Sequence, residues 1–142
     1  MISYESAVTV NRTPVEIFPY LTQTEKQALW SDVPMRKLTS GDLNVGSRME
    51  VTFGKGPLKA VLGLEITQLV ANERMEFKTF SGPIGWEGGY QLKLRGTTAT
   101  KVSQHGSLTF KGLWRLLEPL VGSEIKSGEI KELERLKTAV EA

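Results

Sequence analysis

Hydrophobic and polar residues alternate from Ile2 to Val10, with Ile2, Tyr4, Val8 and Val10 on one side. A period of two predicts a half-buried strand. The periodicity then changes. Thr13-Pro14-Val15-Glu16 combines a capping threonine, a proline suited to the first helical position and a glutamate three residues after the cap. That arrangement predicts a helix, with Ile17, Phe18 and Leu21 as its apolar face. A second short helix is predicted from Thr24 to Trp30, ending before Pro34.

After Pro34 the chain becomes a series of short alternating runs divided by glycine, asparagine and proline, which predicts a meander of strands. A weak strand is expected from Arg36 to Leu43. The next runs from Ser47 to Phe53 with Met49, Val51 and Phe53 inward, and the turn Gly54-Lys55-Gly56-Pro57 reverses the chain. Ala60 to Leu69 turns Leu62, Leu64 and Ile66 inward, and Ala71-Asn72-Glu73 leads into Arg74 to Phe80, where Met75 and Phe77 face the same way. Beyond Ser81-Gly82-Pro83, the stretch from Gly85 to Arg95 alternates Trp86, Tyr90, Leu92 and Leu94 against charged and polar neighbours. Gly96-Thr97-Thr98 returns it as Thr100 to Phe110.

From Lys111 the pattern turns helical, and Leu113, Leu116, Leu117, Leu120 and Val121 form a stripe. Ile125, Ile130, Leu133, Leu136 and Val140 fall on a rotated face. With Pro119 and Gly122 nearby, a kink or break is expected there. The order β-α-α-β6-α, with helices segregated from an antiparallel sheet of about seven strands, predicts an α+β domain. Its sheet must curve to bury one face, and the terminal helix is the only element long enough to cover it. The space between them is the natural pocket.

With 142 residues, 39% of them hydrophobic and 24% charged, the chain matches a single globular domain spanning residues 1–142. No stretch is long and apolar enough to span a bilayer, and the N-terminus lacks the basic head and apolar core of a secretory signal, so a cytoplasmic location is expected. The absence of cysteine excludes disulfides, thiol nucleophiles and thiolate metal sites, and the single histidine, His105, excludes multi-histidine metal sites. No metal or other cofactor is expected. A net charge of +2, from 18 basic and 16 acidic residues interspersed along the chain, argues against a nucleic-acid partner.

The opening Tyr4-Glu5-Ser6-Ala7-Val8-Thr9-Val10 followed by Thr13-Pro14-Val15-Glu16-Ile17-Phe18 resembles the N-terminal motif of the START/Bet v 1-like helix-grip superfamily (SRPBCC), in particular its bacterial polyketide cyclase/dehydrase-like branch. Trp30, Val45-Gly46-Ser47-Arg48, and the ending from Gly112-Leu113 through Glu118-Pro119-Leu120 to Leu133-Glu134-Arg135-Leu136-Lys137 are similar to the same branch. The resemblance covers nearly the whole chain, but its motifs determine fold rather than chemistry. It implies a helix-grip fold with a cavity for a hydrophobic or amphipathic small molecule such as a lipid, polyketide or aromatic compound. Members of the superfamily range from binders and carriers to cyclases and partner-regulating domains.

The inward faces nominate a lining of Met49, Val51, Phe53, Leu62, Leu64, Met75 and Phe77, continued by Tyr90, Leu92, Leu108 and Leu117, with Trp30 and Trp86 near the entrance. Taken one at a time, the same residues suit a solid core better than ligand contact, and only a hollow between sheet and helix reverses that reading. Tyr90 and Gln104 are the inward polar groups best suited to orient a ligand, with Tyr4 and Thr79 as weaker counterparts; Gln104 could instead be satisfied by neighbouring backbone. His105 has the outward parity of a solvated side chain, as does Glu87 unless Gly88-Gly89 makes a bulge. Lys93, Arg95 and Lys101 read as a solvated sheet face, and Gly54-Lys55-Gly56-Pro57 lacks the spacing and hydroxyl of a phosphate loop. Three functions follow: a binder or carrier of a small hydrophobic molecule, a cyclase or dehydratase using Tyr90 and Gln104 to polarise a carbonyl, or a regulatory module with a protein partner or a second copy.

Overall fold

Alternation becomes strand pairing because each run can bury one face only by joining a neighbour edge to edge. The computed structural model describes residues 1–31, 33–54, 57 and 59–142. It contains β1 (Ile2–Val10), α1 (Pro14–Thr22), α2 (Thr24–Gln27), β2 (Met35–Lys37), β3 (Arg48–Phe53), β4 (Ala60–Val70), β5 (Arg74–Ser81), β6 (Ile84–Arg95) and β7 (Ala99–Phe110). A 3₁₀ segment (Gly112–Leu117) then leads into α3 (Glu118–Glu141). All seven strands form one antiparallel sheet in the order β1-β7-β6-β5-β4-β3-β2, so the first strand is carried across to pair with the last. Bulges in β4 between Gly63 and Leu64 and between Ile66 and Gln68 break the register against β5 and bend the sheet. The result is the α+β helix-grip arrangement.

α1 begins where the sequence signals it. The Glu16 carboxylate accepts hydrogen bonds from the backbone N–H and the hydroxyl of Thr13, at 3.2 and 3.0 Å. These bonds and the Arg12 guanidinium hold the exposed Glu16 carboxyl below its ordinary pKa. Its buried residues are Ile17, Phe18 and Leu21, as the spacing predicts. Asn72, at φ 62°, makes the β4–β5 turn in the left-handed region that asparagine tolerates.

Three boundaries differ from the sequence reading. α2 stops at Gln27 and the chain continues to Trp30 as a turn, while β2 is only Met35–Lys37, because β3 offers it no longer partner. The turn at Gly54-Lys55-Gly56-Pro57 lies partly outside the described residues. The third difference concerns the terminal helix. The break expected near Pro119 falls ahead of it: Pro119 occupies the first turn of α3, where no intrahelical N–H is needed, and the helix then runs unbroken through Gly122. The leucine stripe is correspondingly misassigned. Leu113, Leu116 and Leu120 are 85%, 72% and 71% exposed, whereas the buried stripe of α3 is Glu129, Glu132, Leu133, Leu136 and Val140.

α3 lies against β1. Lys137 Nζ donates to the Thr9 carbonyl at 2.6 Å, the Glu141 carboxylate accepts from the Asn11 N–H at 2.8 Å, and Arg12 donates to the Glu141 carbonyl at 2.9 Å. The sheet also makes room for one large inward ring. Tyr4 lies over Gly106 and Gly88 on adjacent strands, and a Cβ at Gly106 would come within 2.3 Å of the Tyr4 ring and hydroxyl. Gly106→Ala is therefore expected to cost about 1–3 kcal/mol by overpacking. Gly128→Ala, in the α3 interior with nothing within 4 Å, is expected to stabilise by about 0.5–1 kcal/mol. Thermal or urea unfolding of the two variants checks both signs.

Candidate functional site

The far half of the sheet and the helices that face it enclose a cavity of about 40 Å³. Its walls are aliphatic and aromatic: Met49 and Val51 from β3, Leu64 and Ile66 from β4, Met75 and Phe77 from β5, and Trp86 and Tyr90 from β6. Leu21, Val33, Met35 and Leu43 close it from the other side. Its polar lining is Thr22, Thr24, Gln27, Ser31 and Glu132, together with the hydroxyl of Tyr90. A separate surface pocket of about 340 Å³ between α2 and β2 shares Thr24, Gln27, Ser31, Val33 and Met35 with it, so these residues form the wall between interior and solvent. A single water needs roughly 10–15 Å³, so the inner cavity holds on the order of three waters, while typical ligand pockets begin near 300 Å³.

Seven of the residues nominated from the sequence meet in this lining: Met49, Val51, Leu64, Met75, Phe77, Trp86 and Tyr90. The others are placed elsewhere. Leu62, Leu92 and Leu108 are buried in the core away from the cavity. Phe53 and Leu117 line a separate groove of about 340 Å³ with Ile84, Phe110, Trp114, Val121 and Ile125, where the 3₁₀ segment and the start of α3 meet the sheet. Trp30 is not at an entrance. It is 2% exposed, donates its indole N–H to the Tyr20 carbonyl at 2.9 Å, accepts from Arg135 on its own carbonyl at 2.9 Å, and sets its ring edge-on to Tyr90 with centroids 6.1 Å apart. Its role is to hold Tyr90 in place.

Gln104 is tied into the framework rather than aimed at the cavity. Its amide nitrogen donates to the Glu129 carbonyl at 2.7 Å and to the Ser6 hydroxyl at 3.0 Å, joining β7 to α3 and β1. Tyr4 is likewise engaged, accepting from the Trp86 indole N–H at 3.0 Å, and Thr79 accepts the Trp86 backbone N–H at 3.0 Å. His105 and Glu87 lie on the outer face. His105 stands 3.0 Å from the Glu76 carboxylate and Glu87 3.3 Å from Lys78, and β6 pairs with β7 without a bulge at Gly88-Gly89. No three histidine or acidic side chains converge on a metal position among the described residues.

Sequence reasoning missed the two buried glutamates. Glu129 and Glu132 occupy the inward stripe of α3, 9% and 6% exposed. The signal is present in the periodicity: at 3.6 residues per turn, Ile125, Leu133, Leu136 and Val140 require inward positions near 129 and 132, and both are glutamate. Ser31 donates to the Glu132 carboxylate at 2.8 Å, which fixes it in the polar lining of the cavity. The consequence appears at the phenols. Burial, followed by the charges of Glu132 and Glu129, drives the Tyr90 hydroxyl well above its ordinary pKa. Burial and the Glu129 charge raise Tyr4 as well, against a smaller opposing effect of the Trp86 hydrogen bond. Tyr90 is thus a neutral donor at any physiological pH and cannot serve as a phenolate base.

Compared by sequence, the chain matches no protein-family profile and no curated protein. Its fold, however, matches solved structures over nearly their whole length. TTHA0849 from Thermus thermophilus superposes with a TM-score of 0.79 at 14% identity, covering 97% of this chain and 96% of that one. The ZhuI aromatase/cyclase from Streptomyces sp. R1128 gives 0.77 at 10% identity over 98% and 93%, and Ara h 8.0201 gives 0.70 at 13% over 97% and 96%. The chain therefore has the helix-grip fold of the START/Bet v 1-like proteins. No helix among the described residues is long and apolar enough to cross a membrane.

Two outcomes test this geometry. Because the unfolded chain ionises its tyrosines near pH 10 while the folded chain keeps Tyr4 and Tyr90 protonated, the folded state binds more protons above that pH, and stability is lost as pH rises through this range. The unfolding midpoint is expected to fall above pH 10, less steeply in Tyr90→Phe, in a pH series of melting curves. Gln104→Leu removes the bonds that tie β7 to Ser6 and to the Glu129 carbonyl and is expected to cost about 1–3 kcal/mol, measured by urea unfolding.

Proposed function

We propose that the chain binds a compact hydrophobic or amphipathic molecule, entering between α2 and β2 and seating its apolar part among the methionine and aromatic residues of the cavity. The observation that carries this reading is the make-up of the cavity lining: mostly apolar walls, with a polar group of Tyr90, Ser31 and Glu132 in which Ser31 is hydrogen-bonded to Glu132. Such a site orients a ligand by one end and holds the remainder by burial. Size narrows the ligand class. An inner space of about 40 Å³ beside an outer pocket of about 340 Å³, joined when the side chains they share move apart, suits a one- or two-ring aromatic compound better than a long acyl chain. Met35, Met49 and Met75 add adaptability, since unbranched thioether side chains repack around a guest at small cost.

A catalytic reading of the kind that the name aromatase/cyclase suggests for one structural neighbour draws on a further observation. A neutral Tyr90 phenol shares a largely apolar cavity with the Glu132 carboxylate, so a carbonyl polarised by the first lies near a group able to take a proton. Gln104, with its amide committed to α3 and Ser6, has no place in that chemistry.

Binding is tested by fluorescence titration with 1-anilinonaphthalene-8-sulfonate and its displacement by 2-naphthol and by naphthalene. Uptake of the probe is expected, and Val51→Trp, which fills the cavity, should abolish it. Tyr90→Phe is expected to weaken 2-naphthol about tenfold, the worth of one hydrogen bond, while leaving naphthalene unchanged. A protein that takes up neither compound, or a Val51→Trp variant that binds as well as the parent, would overturn the proposal.

A further inference from the structure

The segment 112–120 is apolar on both of its sides. A 3₁₀ turn has three residues, so Leu113 and Leu116 are eclipsed, and Leu120 follows four residues later in α3. These three leucines project into solvent, whereas Trp114, Leu117 and Val121, one residue on from each, line the neighbouring groove. A solvent-facing helical stretch ordinarily carries charge on its outer side, and large aliphatic groups clustered there mark a surface that is covered in use.

We propose that this edge docks on an anionic phospholipid surface. Charge selects this occupant. Exposed Lys111 and Arg115 interleave with the leucines, and exposed Lys59 adjoins Ala60, whose pairing partner Phe53 lines the same groove. Of the acidic groups nearby, Glu118 is paired with the N-terminal ammonium at 2.5 Å, which leaves Glu124 at the groove as the opposing charge. Leucines that enter the headgroup boundary beside basic groups that meet lipid phosphates are the components of interfacial binding, and no membrane-crossing helix is required. A second copy fits poorly. A two-fold contact would set Lys111 and Arg115 against their own counterparts, and three leucines fall far short of the roughly 1,000 Å² that a stable protein interface buries. The docking is independent of the interior cavity, so it stands or falls separately from ligand binding.

Flotation with phosphatidylcholine vesicles, with and without phosphatidylglycerol, tests the proposal. The full chain is expected to float with the phosphatidylglycerol vesicles, to release them at high salt, and to show a blue shift of Trp114 emission, since Trp30 and Trp86 are already 2% and 8% exposed. Each of Leu113→Ser, Leu116→Ser and Leu120→Ser is expected to weaken partitioning roughly tenfold, with an unchanged melting temperature because these side chains contact little in the folded chain. Lys111→Glu with Arg115→Glu should abolish the preference for the anionic vesicles. Absence of flotation, equal flotation with phosphatidylcholine alone, insensitivity to the leucine variants, or a leucine-dependent dimer in sedimentation without vesicle binding would each overturn it.

Discussion

Seven strands joined edge to edge produce one concave apolar surface, and water must be kept from it at a cost that grows with its area. α3 is the long element that does this along β1, and the rest of the molecule is arranged around that contact. Its C-terminal half is pinned by Lys137 on Thr9 and by Glu141 between Asn11 and Arg12, and its middle by the Gln104 amide on the Glu129 carbonyl. These bonds tie α3 to β1 and β7. They also fix which residues of α3 point inward.

That rotation decides the chemistry of the interior. Two of the inward residues are glutamates, and a buried carboxylate is tolerated only where hydrogen bonds replace its hydration. Ser31 does this for Glu132 from the wall shared with the pocket between α2 and β2. Burial, reinforced by the same glutamate charges, keeps Tyr90 and Tyr4 protonated, so the interior offers a phenolic donor and a carboxylate against walls of methionine and aromatic carbon. Trp30 links the two sides, since it braces Tyr90 edge-on while its own carbonyl is held by Arg135 of α3. The two ends of the cover thus differ in character. Its C-terminal half is anchored and shapes a site, and its N-terminal approach presents leucines outward.

Much of this architecture was legible in the sequence because strand alternation and helix capping are local. The Ile2 to Val10 run, the Thr13-Glu16 cap and the strands from Ser47 onward lie where periodicity places them, and seven of the nominated inward residues meet at the cavity. The failures occur where a helix has two candidate faces. Leu113, Leu116 and Leu120 make a convincing apolar stripe, yet nothing among the described residues covers them. The sequence places Trp30 near the entrance, whereas it is buried against Tyr20, Tyr90 and Arg135, the last two distant in sequence.

The sequence by itself determined the fold class, the count and order of the strands and the apolar walls, since each follows from patterns a few residues long. Only the tertiary structure decided that α3 turns Glu129 and Glu132 inward, that Gln104 spends its amide on the framework, and that the remaining space is small and lies behind the pocket between α2 and β2. The reason is physical. Local periodicity fixes which residues share a face, but which face is buried depends on what packs against it, and that partner comes from the opposite end of the chain.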